Sequence, residues 1–163
     1  MLLSMLLLGV AMSTPPVAPD QRTATASGVT VSWHIEDGVL HAIAEADSPG
    51  WICVGLSDER SLGGTRLVMG WANQSRSGVE EHIAAPPDHA ERVSLGRAPG
   101  LVTAEATQDG GRTVMRFSLR LDTGDERDPR LAEGAPVHLV LAWSHSDDLQ
   151  HHSAERSAVD TTL

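Results

Sequence analysis

VTVSWHIEDGVLHAIAEA, residues 29–46, is the stretch on which the fold reading turns. Val29, Val31, Trp33 and Ile35 lie two apart, so they share one face of a strand. Asp37-Gly38 separates this alternation from a second one running from Val39 to Ala46, and an Asp-Gly step between two alternating runs marks a two-residue hairpin. The same grammar recurs along the chain. Pro49-Gly50 opens WICVGLS, where Trp51, Cys53 and Gly55 share one face and Ile52, Val54 and Leu56 the other, so both faces read as buried. Gly63-Gly64 precede TRLVMGWA, with Leu67, Met69 and Trp71 in register on one side. Gly78 introduces VEEHIA, and residues 84–100 read as Pro-rich and irregular. LVTAEAT, a turn at Asp109-Gly110-Gly111 and TVMRFSLRL form a second hairpin, with Met115, Phe117, Leu119 and Leu121 facing inward. VHLVLAWS aligns Val137, Leu139, Leu141 and Trp143 and is read as the last substantial strand. Residues 122–135 read as a polar connection with room for one short helical turn.

About eight or more short strands at intervals of roughly ten residues, without a long amphipathic helix, predict an all-β, immunoglobulin-like antiparallel β-sandwich. The 163 residues suit one domain with one core. The hydrophobic fraction of 40% and charged fraction of 21% belong to a globular chain. A net charge of -10 repels phosphate backbones, which argues against a nucleic-acid partner. All 12 basic residues are Arg, so lysine Schiff-base chemistry is excluded. Cys53 is the only cysteine, so no disulfide forms within the chain.

Residues 1–12, MLLSMLLLGVAM, are too short an apolar run to span a bilayer, which takes about twenty residues. They are long enough for the apolar segment of a signal peptide, ending in the small-residue pattern Ala11-Met12-Ser13. The expected organisation is a signal peptide over 1–13, a disordered linker over 14–27 and one domain over 28–163. The expected location is extracytoplasmic, whether periplasmic, secreted or at the cell surface.

Three stretches resemble the DOMON family. SPGWICVGLSDERSLGGTRLVMGWANQSRSGVEEH (48–82) is similar to its Gly-Trp strand, Gly-apolar-Ser step and aromatic-ended strand. MRFSLRLDTGDERDPRLAEG (115–134) resembles its Phe-containing strand and Leu-Asp-Thr-Gly-Asp loop. HLVLAWSHSDDLQHHSAERSAVDTTL (138–163) resembles its closing strand and His-containing loop. The resemblance implies the sandwich and a ligand-binding role without catalysis. The heme branch of the family further implies heme b held between a Met and a His. The His position falls on His152, the expected metal ligand, and the Met position falls on Leu62, which has no lone pair for iron. Met69 lies seven residues on, about 23 Å along an extended strand, and reaches the site only if the loop folds back. His151 or His145 can supply a second nitrogen, and a five-coordinate heme on His152 alone is the remaining arrangement. Leu67, Met69 and Trp71 read either as core or as an apolar wall against the porphyrin.

Two functions follow as expectations. One is an exported heme b module for electron transfer or heme sensing, served by a redox partner such as a membrane cytochrome. The other is a heme-free module that recognises a carbohydrate, another small molecule or a protein. His138, His145, His151 and His152 with Asp147 and Asp148 offer imidazole and carboxylate ligands for a copper or zinc site. Asp122, Asp125 and Asp128 read as a solvated acidic loop, and Cys53 as a small buried hydrophobe. The indole N–H groups of the four tryptophans are expected to meet backbone carbonyls. Glycine-rich phosphate loops and Gly-x-Ser-x-Gly elbows are absent from the sequence.

Overall fold

The computed structural model describes residues 20–163. Eleven strands run in chain order: β1 (Arg22–Ala26), β2 (Val29–Glu36), β3 (Val39–Ala46), β4 (Ile52–Ser57), β5 (Arg66–Ala72), β6 (Ser77–Ala85), β7 (Asp88–Glu91), β8 (Leu101–Asp109), β9 (Arg112–Arg120), β10 (Pro136–Trp143) and β11 (Glu155–Thr162). They form a five-stranded sheet of order β1-β2-β3-β9-β8 and a six-stranded sheet of order β11-β10-β4-β5-β6-β7. Every pairing is antiparallel, and the two sheets pack as a β-sandwich.

The turn joining β2 to β3 has φ of 50° at Asp37 and 74° at Gly38, the left-handed pair that matches strand twist in a tight hairpin. That turn sets the register, with Trp33 opposite Ala42 and Ile35 opposite Leu40. Val31, Trp33, Leu40, Phe117 and Leu119 from one sheet meet Ile52, Val54, Leu56, Leu139 and Leu141 from the other in the main core. Each such side chain contributes about 1.5–3 kcal/mol by leaving water. The sheets close tightly at Gly70, where a Cβ would sit 2.6 Å from the Met115 sulfur, so only glycine lets Met115 cross between layers. The indole expectation holds for Trp51, whose Nε1 donates to the Asp148 carbonyl at 3.1 Å, but the buried Trp33 Nε1 has no partner.

An ionic girdle joins the layers where the alternation ends. Arg66, fully buried, donates to Glu81 at 2.7 Å and to the carbonyls of Arg120 and Leu121 at 2.9 and 3.1 Å. Arg92 holds both carboxylate oxygens of Asp128 at 2.7 Å, while Arg97 reaches Asp128 at 2.5 Å and Asp125 at 3.0 Å. Burial would raise the Asp128 pKa, but hydrogen bonds from Arg92 and Thr123 outweigh it and hold the carboxyl below its usual range. The 122–128 loop is therefore not the solvated acidic loop that its composition suggests. Its Asp125 and Asp128 are the counter-charges that allow Arg92 and Arg97 to be buried.

Further expectations change. β1 lies inside the stretch read as linker, because Ala24 and Ala26 pack on the core while β1 pairs with β2. The 84–100 segment is not wholly irregular: it carries β7 and a 3-10 turn at Val93–Leu95, the helical turn expected instead within 122–135. β10 is followed by a full edge strand, β11, whose residues are mostly exposed, so burial imposes no alternation on its sequence. The expected signal peptide lies outside the described residues.

Candidate functional site

β4 is buried on both faces, although only one of them meets the other sheet. Its outward side chains, together with those of β5, β6 and β10, make a second apolar cluster of Trp51, Cys53, Leu67, Met69, Ala84, Ala142 and Leu149. Three chain segments cover this cluster: the β4–β5 loop through Leu62, the β6–β7 hairpin through Pro87, Asp88 and His89, and the β10–β11 loop through Gln150–Ser153. Between cover and sheet lies a cleft of about 100 Å³.

The cleft gathers most of the residues singled out from sequence. Leu62, Met69, His151 and His152 all line it. The β4–β5 loop does fold back, held by Thr65 N–H on the Leu62 carbonyl at 3.1 Å and Gly64 N–H on the Ala84 carbonyl at 2.8 Å. The reach measured along an extended strand therefore does not separate Leu62 from Met69. Met69 and Leu67 belong to this outer cluster and not to the inter-sheet core. Trp71 packs against the same cluster at its edge, beneath the Arg76 guanidinium, and does not line the cleft. His145 lies edge-on to Trp143, away from the cleft lining.

The sequence reading missed His89, which also lines the cleft. Its Nδ1 lies 2.9 Å from Nδ1 of His82, and His82 Nε2 lies 2.9 Å from Glu80. A carboxylate only accepts, so His82 carries its proton on Nε2. With both rings neutral, His82 Nδ1 accepts from His89 Nδ1–H, which leaves the lone pair of His89 on Nε2. Burial first, and then the repulsion that a protonated His82 exerts, hold His89 below the ordinary imidazole range, against opposing pulls from the Leu149 backbone and Asp88. A neutral imidazole is the form that binds a metal. The signal was present in HIAAPPDH, where a double proline turns the chain and brings His82 and His89 together on neighbouring strands.

On the loop side, His151 Nδ1 is 3.3 Å from Ser144 Oγ and 3.0 Å from the His152 carbonyl, which orients the ring. The His152 ring is exposed above the cleft. Burial pushes the Cys53 thiol up to about 12, with Arg156 pulling weakly the other way, so the thiol stays neutral and adds only apolar surface. The copper or zinc cluster does not assemble. His138 pairs with Asp160 at 2.6 Å, Asp147 accepts from Asn73 at 2.9 Å, and neither residue lines the cleft that holds His151 and His152.

Against this geometry, the sequence profile of the DOMON domain matches residues 25–144. The chain belongs to the DOMON family. Among solved structures, the DOMON chain is similar to the cytochrome b domain of pyranose dehydrogenase from Coprinopsis cinerea. The likeness has a TM-score of 0.56 at 15% identity, over 89% of this chain and 88% of that one. At that identity it shows a shared fold. Among the described residues of this DOMON domain, no helix is long and apolar enough to cross a membrane.

Proposed function

We propose that this DOMON domain is an exported heme b module, serving electron transfer or heme sensing, with the porphyrin seated in the cleft on the outer face of the six-stranded sheet. The observation that carries the reading is the convergence of three imidazoles, His89, His151 and His152, over an apolar floor in a domain otherwise built as a closed sandwich. Imidazole nitrogen is a heme iron ligand, and apolar walls suit the macrocycle. Bound heme would supply one-electron exchange at iron. The chain's part would be to ligate through His152, offer His89 or His151 as a second nitrogen, and exclude water with Leu62, Leu67 and Met69. The Glu80–His82 pair would act behind His89, in the way outer-shell partners fix the tautomer of a ligating imidazole.

Leu62 offers iron no sulfur, so the chain would hold the group through two imidazoles or through a single histidine. Small-molecule pockets run to about 300–1,000 Å³, so a porphyrin requires the 149–153 loop to lift from its present place. The test is a hemin titration of the purified chain followed by the Soret band. The reading expects saturation at one heme per chain and a loss of most of the absorbance change in the double variant His151→Ala/His152→Ala. No Soret shift in wild type would reject it.

The closed cleft and Leu62 favour one competing reading, a heme-free recognition module for a carbohydrate, small molecule or protein. It expects glycan or protein capture that hemin does not displace and no stoichiometric heme uptake.

A further inference from the structure

The opposite face of the molecule carries a second constellation that the heme reading does not use. His34 and Glu36 lie two apart on β2, so both project to the outer side of the five-stranded sheet. His41 on β3 is the cross-strand partner of His34. Their neighbours Trp33, Leu40 and Ala42 are buried in the core, so a one-residue slip would exchange apolar side chains for polar ones in the interior. Core burial thus fixes the placement of the three polar side chains. β2 and β3 are interior strands of their sheet, paired on both sides, and the scaffold under the trio is correspondingly rigid.

One ligand atom from each of His34, Glu36 and His41 lies within 4.8 Å of the others, and among the described residues no other set of three His, Cys, Asp or Glu side chains does so. The two rings are stacked, with centroids 5.0 Å apart and planes 15° from parallel. His41 Nδ1 is 2.9 Å from Ser118 Oγ, and that hydroxyl is itself 3.0 Å from Thr103 Oγ1. When His41 donates Nδ1–H to Ser118, its Nε2 keeps the lone pair. No salt bridge or side-chain hydrogen bond among the described residues engages the Glu36 carboxylate or either ring nitrogen of His34. A groove of about 430 Å³ opens beside the pair, lined in part by Ser32, Thr103, Glu105 and Arg116.

We infer that His34, His41 and Glu36 form a divalent transition-metal site for Zn²⁺ or Cu²⁺, with its remaining coordination positions open to the groove. Two imidazoles and one carboxylate are a borderline nitrogen and oxygen set, which suits these ions better than Mg²⁺ or Ca²⁺. A tetrahedral ion with bonds of about 2.1 Å holds its donors ~3.4 Å apart. From separations of at most 4.8 Å the donors close by no more than about 1.4 Å, with the stacked rings swinging one nitrogen each toward the ion, a movement open to side chains that are all at least partly exposed. Ser118 is then the outer-shell acceptor that fixes the His41 tautomer. The fourth position would be taken by water or by a small anion in the groove.

The test is a titration of the full chain, stripped with EDTA and dialysed free of it, with Zn²⁺ against a chromophoric chelator, repeated with Cu²⁺. The expectation is one ion per chain at the outer face. Affinity falls by tenfold or more in His34→Gln and in His41→Gln, and by about tenfold in Ser118→Ala. Glu36→Gln, at an exposed position that leaves the core untouched, also weakens binding and guards against misfolding as the cause. The variant His151→Ala/His152→Ala binds as wild type does, which separates this site from the heme cleft. The inference is overturned if wild type shows no saturable one-to-one binding, if affinity survives in His34→Gln and Glu36→Gln, or if it is lost in the His151/His152 variant.

Discussion

The two outer faces of the sandwich are built differently. On the six-stranded sheet, β4 is buried on both sides, and its outer cluster of Trp51, Cys53, Leu67 and Met69 lies under three covering segments. On the five-stranded sheet, β2 and β3 bury only their inward residues, and the outer side presents His34, Ile43, Thr103 and Arg116 around an open groove. A strand that is apolar on both faces needs something over its second face. Here the cover is three chain segments, two of which carry imidazoles, and they make a cleft. A strand that alternates leaves its second face to polar ligands and solvent.

The largest effect that tests this contrast comes from the inward face of β4. Ile52→Ala empties the inter-sheet core and should cost about 2–5 kcal/mol in urea denaturation, leaving hemin affinity per folded molecule unchanged. A stability cost under about 1 kcal/mol would mean that Ile52 does not fill the inter-sheet core. Leu62→Met comes next. The exchange nearly conserves volume, so stability should move by under about 1.5 kcal/mol. Hemin binding should tighten by about tenfold, ~1.4 kcal/mol, as a thioether enters the cleft. An unchanged spectrum and affinity would mean that Leu62 does not reach iron.

A smaller effect is expected from pH. The His89 pKa is lowered in the folded state, so the unfolded chain takes up a proton first as the pH falls. The stability that His89 contributes is therefore present above its ordinary value of 6.5 and declines as the pH drops through and below it. The urea midpoint should fall between pH 7.5 and 5.5, and His89→Asn should reduce that fall. An equal fall in the variant would remove His89 as the cause. Least of all, Ile43→Thr on the open face, at 41% exposure, should change stability by no more than about 0.5 kcal/mol. A larger loss would show that this face is covered by something.

The residues explain how much of this could be read in advance. The hairpins at Asp37-Gly38 and Asp109-Gly110 and the double burial of WICVGLS were legible because each strand obeys a face periodicity imposed by the core. β11 was not, since an edge strand with exposed sides leaves no pattern in its composition. The Arg66–Glu81 and Arg92–Asp128 pairs were also hidden, because partners distant in sequence carry no local signal and charged side chains read as surface. Resemblance singles out Leu62 and His152, with His151 beside the latter, and folding brings the three to one cleft. His89 was missed because its hairpin turns on Pro86-Pro87 within a stretch that composition marks as irregular. The pair His34 and His41 was in plain alternation, but two histidines facing each other across a hairpin become a metal constellation only when Glu36 and Ser118 are placed beside them.

Heme iron is proposed to sit on the outer face of the six-stranded sheet. NMR spectra of the isotope-labelled chain, recorded during addition of paramagnetic ferric hemin, test it most directly. The account predicts that resonances of Leu62, His89, His151 and His152 broaden first and together, while those of His34, Ile43 and Val102 persist. Broadening centred on the five-stranded face, or spread evenly over both, would contradict it.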